Sequence, residues 1–216
     1  MSESEIQTFL KAAENTGYYA LYYTILFTGM RRSEILALRW CDVDLLLCTI
    51  SVSRSLHRLK HGEYIYRPPK SAKGRRVIAL SPSTVQVLKR HQESVITDRL
   101  MLGTSLKDTD LVFAKYDGYP IRPDTITRAW SDLAKKYGIT AHRLHDARHS
   151  HASLMLKQGI HPRIVQERLG HSTISVTLDI YSHVTPGLQE AAAQRFDEAF
   201  QVRHNEITGK KTVSNR

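Results

Sequence analysis

Three histidines and two arginines crowd into RLHDARHSHAS, residues 143–153. His145 and His149 stand four apart with an acid after the first, so HDARH approaches the H-E-x-x-H pattern of zinc hydrolases. Asp146 is one methylene shorter than the glutamate that chemistry needs as general base, and Arg148 would set a cation beside the ion. The same residues suit a different ligand better. His145 and Arg148, three apart on one helical face, pair an imidazole with a guanidinium, and together they can receive the non-bridging oxygens of a phosphate. H-x-x-R is short enough to arise by chance, so its meaning depends on what accompanies it.

Other positions invite the same question. Arg31 follows a Thr-Gly corner, and Glu34, three residues on, can pair with its guanidinium and orient it. His171 follows Leu169 and Gly170 at a helix end, where a contact with the helix dipole is the plainer explanation. Tyr181, in DIYSHV, is one of ten tyrosines and carries no mark of its own. The charge balance points toward a polyanion: Lys and Arg number 31 against 21 acids, a net charge of +10. A nucleic-acid partner is therefore favoured over a membrane. Cys41 and Cys48 form no C-x-x-C pair, which suits a reducing compartment. No apolar run reaches the length of a membrane span and the first residues do not read as a signal peptide, so a soluble, cytoplasmic protein without a membrane partner is expected.

The elements that must position these residues are mostly helical. SESEIQTFLKAA offers Ser2 or Ser4 as a cap ahead of Ile6, Phe9 and Leu10. YYALYYTILFTG reads as a buried helix ending at Gly29, and RRSEILALRW resumes helical spacing. Residues 49–81 change character, with TISVSRS, EYIYRPP and RRVIAL predicting one small antiparallel sheet. Ser81 and Pro82 then open a helix, RPDTITRAWSDLAKKYG predicts another closed by Gly138, and the histidine-rich segment runs to Gly159. Two short helices, PRIVQERLG and TISVTLDIYSH, precede a terminal amphipathic helix. The fold class is mainly α with a small antiparallel sheet (α+β).

Taken in order, TGMRRSEILALRW, PPKSAKGRRVIAL, RLHDARHSHAS and LGHSTISVTLDIYSHV closely resemble the tyrosine recombinase or phage integrase family, over roughly residues 4–200. The resemblance implies that family's catalytic-domain fold for residues 1–200, with 201–216 as a basic tail. It carries a catalytic set onto Arg31, His145, Arg148, His171 and Tyr181, with Glu34 in support. The family's hairpin lysine falls on Lys70 if PPKS is matched to the usual PKT, or on Lys73 if the turn slides, and the first match is preferred. The implied reaction is attack of Tyr181 on a DNA phosphodiester, giving a 3′-phosphotyrosine and a free 5′-hydroxyl, then strand exchange by the reverse step, for integration or excision of a mobile element. Neither metal, ATP nor other cofactor is implied. The implied partners are double-stranded DNA attachment sites and other protomers on that DNA, in a tetrameric synapse. Family integrases usually carry DNA-binding segments ahead of the catalytic part, so one half of the DNA clamp is expected to be missing here. The terminal stripe of Leu188, Ala192, Phe196, Ala199 and Phe200 is expected to dock on a neighbouring protomer. A catalytically silent DNA-binding module of the same fold is the alternative, and a zinc hydrolase built on HDARH stands well behind it.

Overall fold

The computed structural model describes residues 1–59, 62–69, 72–139, 143–184, 193–194 and 196–198, with backbone alone at 72, 181, 183 and 184. Helix α1, Glu3–Ala13, starts where the sequence offers a reciprocal cap. The Ser2 hydroxyl accepts the Glu5 N–H at 3.2 Å while the Glu5 carboxylate accepts the Ser2 N–H at 2.7 Å, satisfying two donors a helix start leaves open. Helix α2, Tyr19–Thr28, is apolar nearly all round and is accordingly buried at Leu21, Tyr22, Ile25 and Leu26. Phe9 and Tyr22 close on Trp130 of α5, Pro123–Lys136, with ring centroids 4.0 and 5.1 Å away.

The helix after the Thr-Gly corner is shorter than its periodicity predicts. Helix α3, Arg32–Ile35, makes one turn. Beyond it, Leu38 and Trp40 use their backbone groups laterally: the Val112 N–H donates to the Leu38 carbonyl at 2.8 Å and the Trp40 N–H to Asp110 at 3.1 Å. Backbone groups engaged sideways cannot also continue a helical ladder.

The sheet predicted over 49–81 is two pieces. Strands β1, Val43–Asp44, and β2, Thr49–Val52, join β5, Arg76–Ala79, in an antiparallel sheet ordered β1-β2-β5, with Ile50 opposite Ile78. Strands β3, Ser55–Arg58, and β4, Tyr64–Arg67, form a separate antiparallel pair. The break falls at Ser53 and Arg54, whose side chains bond back to Asp42 at 2.9 Å and to the Ala37 carbonyl at 2.8 Å. Those bonds turn the chain away from the first sheet.

Helix α4, Pro82–Met101, begins at the predicted Ser81 cap with Pro82 in its first turn. Helix α6, Asp146–Lys157, carries the histidine-rich segment, and α7, Pro162–Leu169, and α8, Ser175–Val184, follow it, with residues 193–194 and 196–198 also helical. The apolar interior divides in two. A large cluster runs through all elements up to Ala147, whereas Ala152, Leu156, Val165 and Leu169 form a small one between α6 and α7. Of the terminal stripe, Phe196 is exposed, while residues 188, 192, 199 and 200 and the 201–216 tail lie outside the described residues.

Candidate functional site

Helix α7 ends at Gly170, whose φ of +67° puts it in the left-handed region. The last carbonyls of a helix have no intrahelical donor and sit at the negative end of its dipole. Here three successive ones are taken by three arginines from three other parts of the chain. Arg76 Nε donates to the Arg168 carbonyl at 2.7 Å, Arg148 Nη2 to Leu169 at 2.7 Å, and Arg31 Nη2 to Gly170 at 3.3 Å. The turn that bears His171 is thus built on cations.

Arg148 is buried, 6% exposed, and its other terminal nitrogen donates to the Gly29 carbonyl at 2.8 Å. It therefore spans both glycine corners that the sequence marks. Each corner needs glycine twice over, for its positive φ and for space: a Cβ on Gly29 would stand 2.4 Å from Leu169 Cδ2, and one on Gly170 2.9 Å from the Lys73 carbonyl. Burial, and then the neighbouring charge of Arg31, pulls the Arg148 pKa down to about 9, which leaves it cationic at neutral pH.

Glu34 pairs with Arg31 as expected, at 2.7 Å, and also accepts the Arg31 backbone N–H at 2.9 Å. It has a second partner that the sequence reading missed. Arg76 forks onto the same carboxylate at 3.2 and 2.9 Å, with a side chain covered almost as fully as that of Glu34. Burial alone would raise the Glu34 pKa, but the hydrogen bonds and charge of Arg76, then those of Arg31, outweigh it and hold the carboxyl below its ordinary value. Among the described residues Glu34 is the one carboxylate bonded to Arg31, Arg76, Arg148 or Arg168, so the cluster keeps an excess of positive charge.

His171 is buried, with Nδ1 2.9 Å from Thr177 Oγ1. Its pKa falls to about 4, through burial first and then the charges of Arg148 and Arg31. His145 is the N-cap of α6, with helical backbone angles, and is exposed, whereas Arg148, three residues on, is buried. The His145 pKa is lowered by burial and by His149, whose ring centroid is 5.5 Å away. Asp146, the acid of the zinc-like pattern, turns back to accept the Arg143 N–H at 2.8 Å. Among the described residues no group of three or more His, Cys, Asp or Glu side chains is placed to hold a metal.

Of the two lysines, Lys70 lies outside the described residues. Lys73 donates to the Ser172 carbonyl at 2.9 Å and lines, with Arg75, Arg76, Arg163, Gly170 and His171, a cleft of about 250 Å³. Tyr181 falls on α8, which packs on α6 and α7, but its side chain lies outside the described residues. The expected set is thus brought together at Arg31, Glu34, Arg148 and His171, with His145 near enough to feel the charges of Arg148 and Arg31.

Residues 1–187 match the phage integrase family. The chain belongs to that family. Among its relatives, the ICEBs1 integrase of Bacillus subtilis is 33% identical over 181 residues, covering 83% of this chain and 49% of the relative. The integrase-family chain spans about half the length of the curated relatives it matches. In three dimensions it is similar to the Tn1549 transposon integrase in complex with transposon right end DNA, with a TM-score of 0.76 and 26% identity over 91% of this chain and 65% of that one. It is also similar to the XerA recombinase, with a TM-score of 0.69 and 29% identity over 90% and 62% of the two chains. The mostly helical architecture with its small antiparallel sheet is that of a tyrosine recombinase catalytic domain. Among the described residues, no helix is long and apolar enough to cross a membrane.

Proposed function

We propose that residues 1–200 are the catalytic part of a cytoplasmic site-specific DNA recombinase, which breaks and rejoins strands through Tyr181 during integration or excision of a mobile element. The observation that carries this reading is the convergence of Arg31 and Arg148 beside His171 at the end of α7, in a chain of this family. A phenol with a pKa near ~10 is a weak nucleophile at neutral pH and needs an electrophilic phosphorus and an outlet for its proton. Two guanidiniums supply the first by neutralising the non-bridging oxygens as charge builds in the transition state. His145, kept from protonating by its surroundings, accepts the Tyr181 proton. His171, held by the contact of its Nδ1 with the Thr177 hydroxyl and kept neutral by its surroundings, hydrogen-bonds the phosphate.

In this step the Tyr181 oxygen bonds to phosphorus, the bond from phosphorus to the 5′ oxygen breaks, and a lysine delivers a proton to the departing oxygen. Lys70 keeps that role on motif grounds. Lys73 is the second reading, favoured by its position on the His171 turn. The attacking strand's 5′-hydroxyl reverses the sequence, and double-stranded attachment sites held by a tetramer of protomers provide the strands to exchange.

The test is a nicked duplex carrying the mobile element's own junction, on which cleavage releases a short strand and traps the enzyme. The chain should form a covalent adduct that Tyr181→Phe abolishes while DNA affinity stays. DNA binding with no adduct from the unsubstituted chain makes it a silent module instead. A 5′-phosphorothiolate at the cut site needs no acid, so it should restore cleavage to whichever of Lys70→Ala and Lys73→Ala has lost the proton donor.

A further inference from the structure

Arg76 stands on β5 in phase with the buried Ile78, while Val77 between them is 63% exposed. It therefore takes an inward-facing strand position at which an aliphatic side chain is the ordinary occupant. A buried ion pair is commonly no more stabilising than well-packed apolar residues in the same space. Its geometry is another matter. Every nitrogen of this guanidinium is directed at something close to the site: Nη1 and Nη2 at the two oxygens of Glu34, Nη1 also at the Gly74 carbonyl, and Nε at the Arg168 carbonyl.

The arrangement is layered. Arg31, with its side chain 39% exposed, stands in front where a phosphate can reach it. Glu34 is behind it, and Arg76, 6% exposed, is behind Glu34. Glu34 alone has a single planar carboxylate on a flexible stem. Forked by Arg76, that carboxylate has one orientation, and Arg31 inherits it. The Nε bond meanwhile fixes the last turn of α7, and a Cβ on Gly170 would come within 3.0 Å of Arg76 Cδ, so the His171 turn lies directly against the same side chain.

We propose that Arg76 is a positioning residue, which sets Arg31 through Glu34 and sets the Gly170–His171 turn through the Arg168 carbonyl, so that both face one phosphate. This rests on the strand-exchange reading above. It differs from a general structural role in one respect that can be measured. If Arg76 acts through Arg31, its loss matters only while the phosphate carries the charge that Arg31 neutralises.

The experiment measures adduct formation at saturating junction DNA by the 216-residue chain, by Arg76→Gln and Arg76→Lys, and by Arg31→Ala as reference. Each is assayed on the ordinary scissile phosphate and on a methylphosphonate, where a methyl group replaces one charged oxygen. Arg76→Gln, assayed well below its own melting temperature, should lose about 10²-fold in rate, the scale of a misplaced reacting geometry, with DNA affinity nearly unchanged. Arg76→Lys, which cannot fork, should recover only part. On the methylphosphonate the defects of Arg76→Gln and Arg31→Ala should shrink together. A rate near that of the unsubstituted chain, or a loss equally deep on both substrates, overturns the proposal. A second arm needs no DNA: amide exchange at Gly170 and His171 should quicken in Arg76→Gln while α4 stays unchanged. Unchanged exchange at those amides refutes the positioning role whatever the chain does with DNA. Absence of any adduct from the unsubstituted chain refutes the recombinase reading instead, and with it the catalytic half of this one.

Discussion

The two apolar clusters hold their helices by different means. The large one is continuous, and at its centre Trp130, Phe9 and Tyr22 are almost entirely out of water. The small one has four fully buried members, Ala152, Leu156, Val165 and Leu169. So few side chains give α7 little hydrophobic reason to stay in one place. What ties it to the rest is polar: Arg76, Arg148 and Arg31 reach into its last carbonyls, while its own Arg168 reaches out to the Ala79 and Phe27 carbonyls at 2.9 Å each. Hydrogen bonds with one charged partner are the stronger kind, about 1.5–3 kcal/mol each. Unlike apolar contacts they are directional, so the seam sets where His171 and the two site arginines sit. The cations that read as a phosphate receptor thus also serve as the joint between the two clusters.

The comparison can be broken first at the large cluster. Trp130→Ala should cost about 3–5 kcal/mol of global stability, as deletion of a large buried aromatic does, with all described elements unfolding together in urea. A loss below about 1 kcal/mol would mean that this cluster is not the stabilising body. A seam residue should behave otherwise. Arg168→Ala strands the part-buried Phe27 carbonyl and His151 Nε2, held at 3.1 Å, and gives the exposed Ala79 carbonyl back to water. It should cost about 2–3 kcal/mol, read mainly as faster amide exchange in α7 while α2 and α4 keep their protection. Uniform loss of protection would show that the seam is simply more core.

That distinction separates what the sequence tells from what it hides. The α1 cap, the stop of α2 at Gly29, the Ser81–Pro82 start and the Gly170 end are local: each is decided by residues within a turn of one another. The four motifs were legible for the same reason, and they located Arg31, Glu34, Arg148 and His171 before any geometry. The seam is not local. Arg76 meets Glu34 across 42 residues and Arg168 meets Ala79 across 89, so neither partner is visible from the other's neighbourhood. The division of the sheet was hidden likewise, because it depends on Arg54 reaching Ala37. The sequence does carry one trace of Arg76: in RRVIAL, strand alternation places it in phase with Ile78 and Leu80, and an arginine on the inward phase demands a partner. The third histidine of the histidine-rich segment, His151, has no place in the motif pattern. It is a seam residue, with Nδ1 donating to the Leu26 carbonyl at 2.9 Å and Nε2 accepting from Arg168.

His151 makes the seam sensitive to pH. Burial, and then the Arg168 charge, lowers its pKa to about 4, and His171 lies at about 4 for similar reasons. In the unfolded chain both should titrate near ~6.5. Between those values the unfolded state binds protons that the folded state refuses, so stability is full above about pH 6.5 and falls as pH drops toward 4. Glu34, whose carboxyl is depressed, adds a further loss only as pH falls through its own lower range. Urea midpoints measured from pH 7.5 to 4.5 should decline, and His151→Gln should flatten the slope. A midpoint independent of pH over that interval would be incompatible with a neutral His151 at the joint.

The smallest effect is the sharpest control, because it uses the same residue type on the same helix. Arg163 lies five positions before Arg168 on α7 and holds Glu167 at 3.0 Å, with both side chains at least 60% exposed. It is the more familiar kind of contact, a surface ion pair at i,i+4. Such pairs contribute about 0.3–0.5 kcal/mol, since water screens the charges and two long side chains must be ordered to meet. Arg168, by contrast, donates to two carbonyls and a histidine nitrogen and has no carboxylate partner among the described residues. Counting ion pairs would rank Arg163 above it. Counting carbonyls left without a donor ranks them the other way, and predicts that Arg163→Ala shifts the urea midpoint by less than the equivalent of about 0.5 kcal/mol while α7 exchange stays as it was. Should Arg163→Ala loosen α7 as much as Arg168→Ala does, net charge rather than directed bonding holds the helix, and the contrast between the two clusters loses its physical basis.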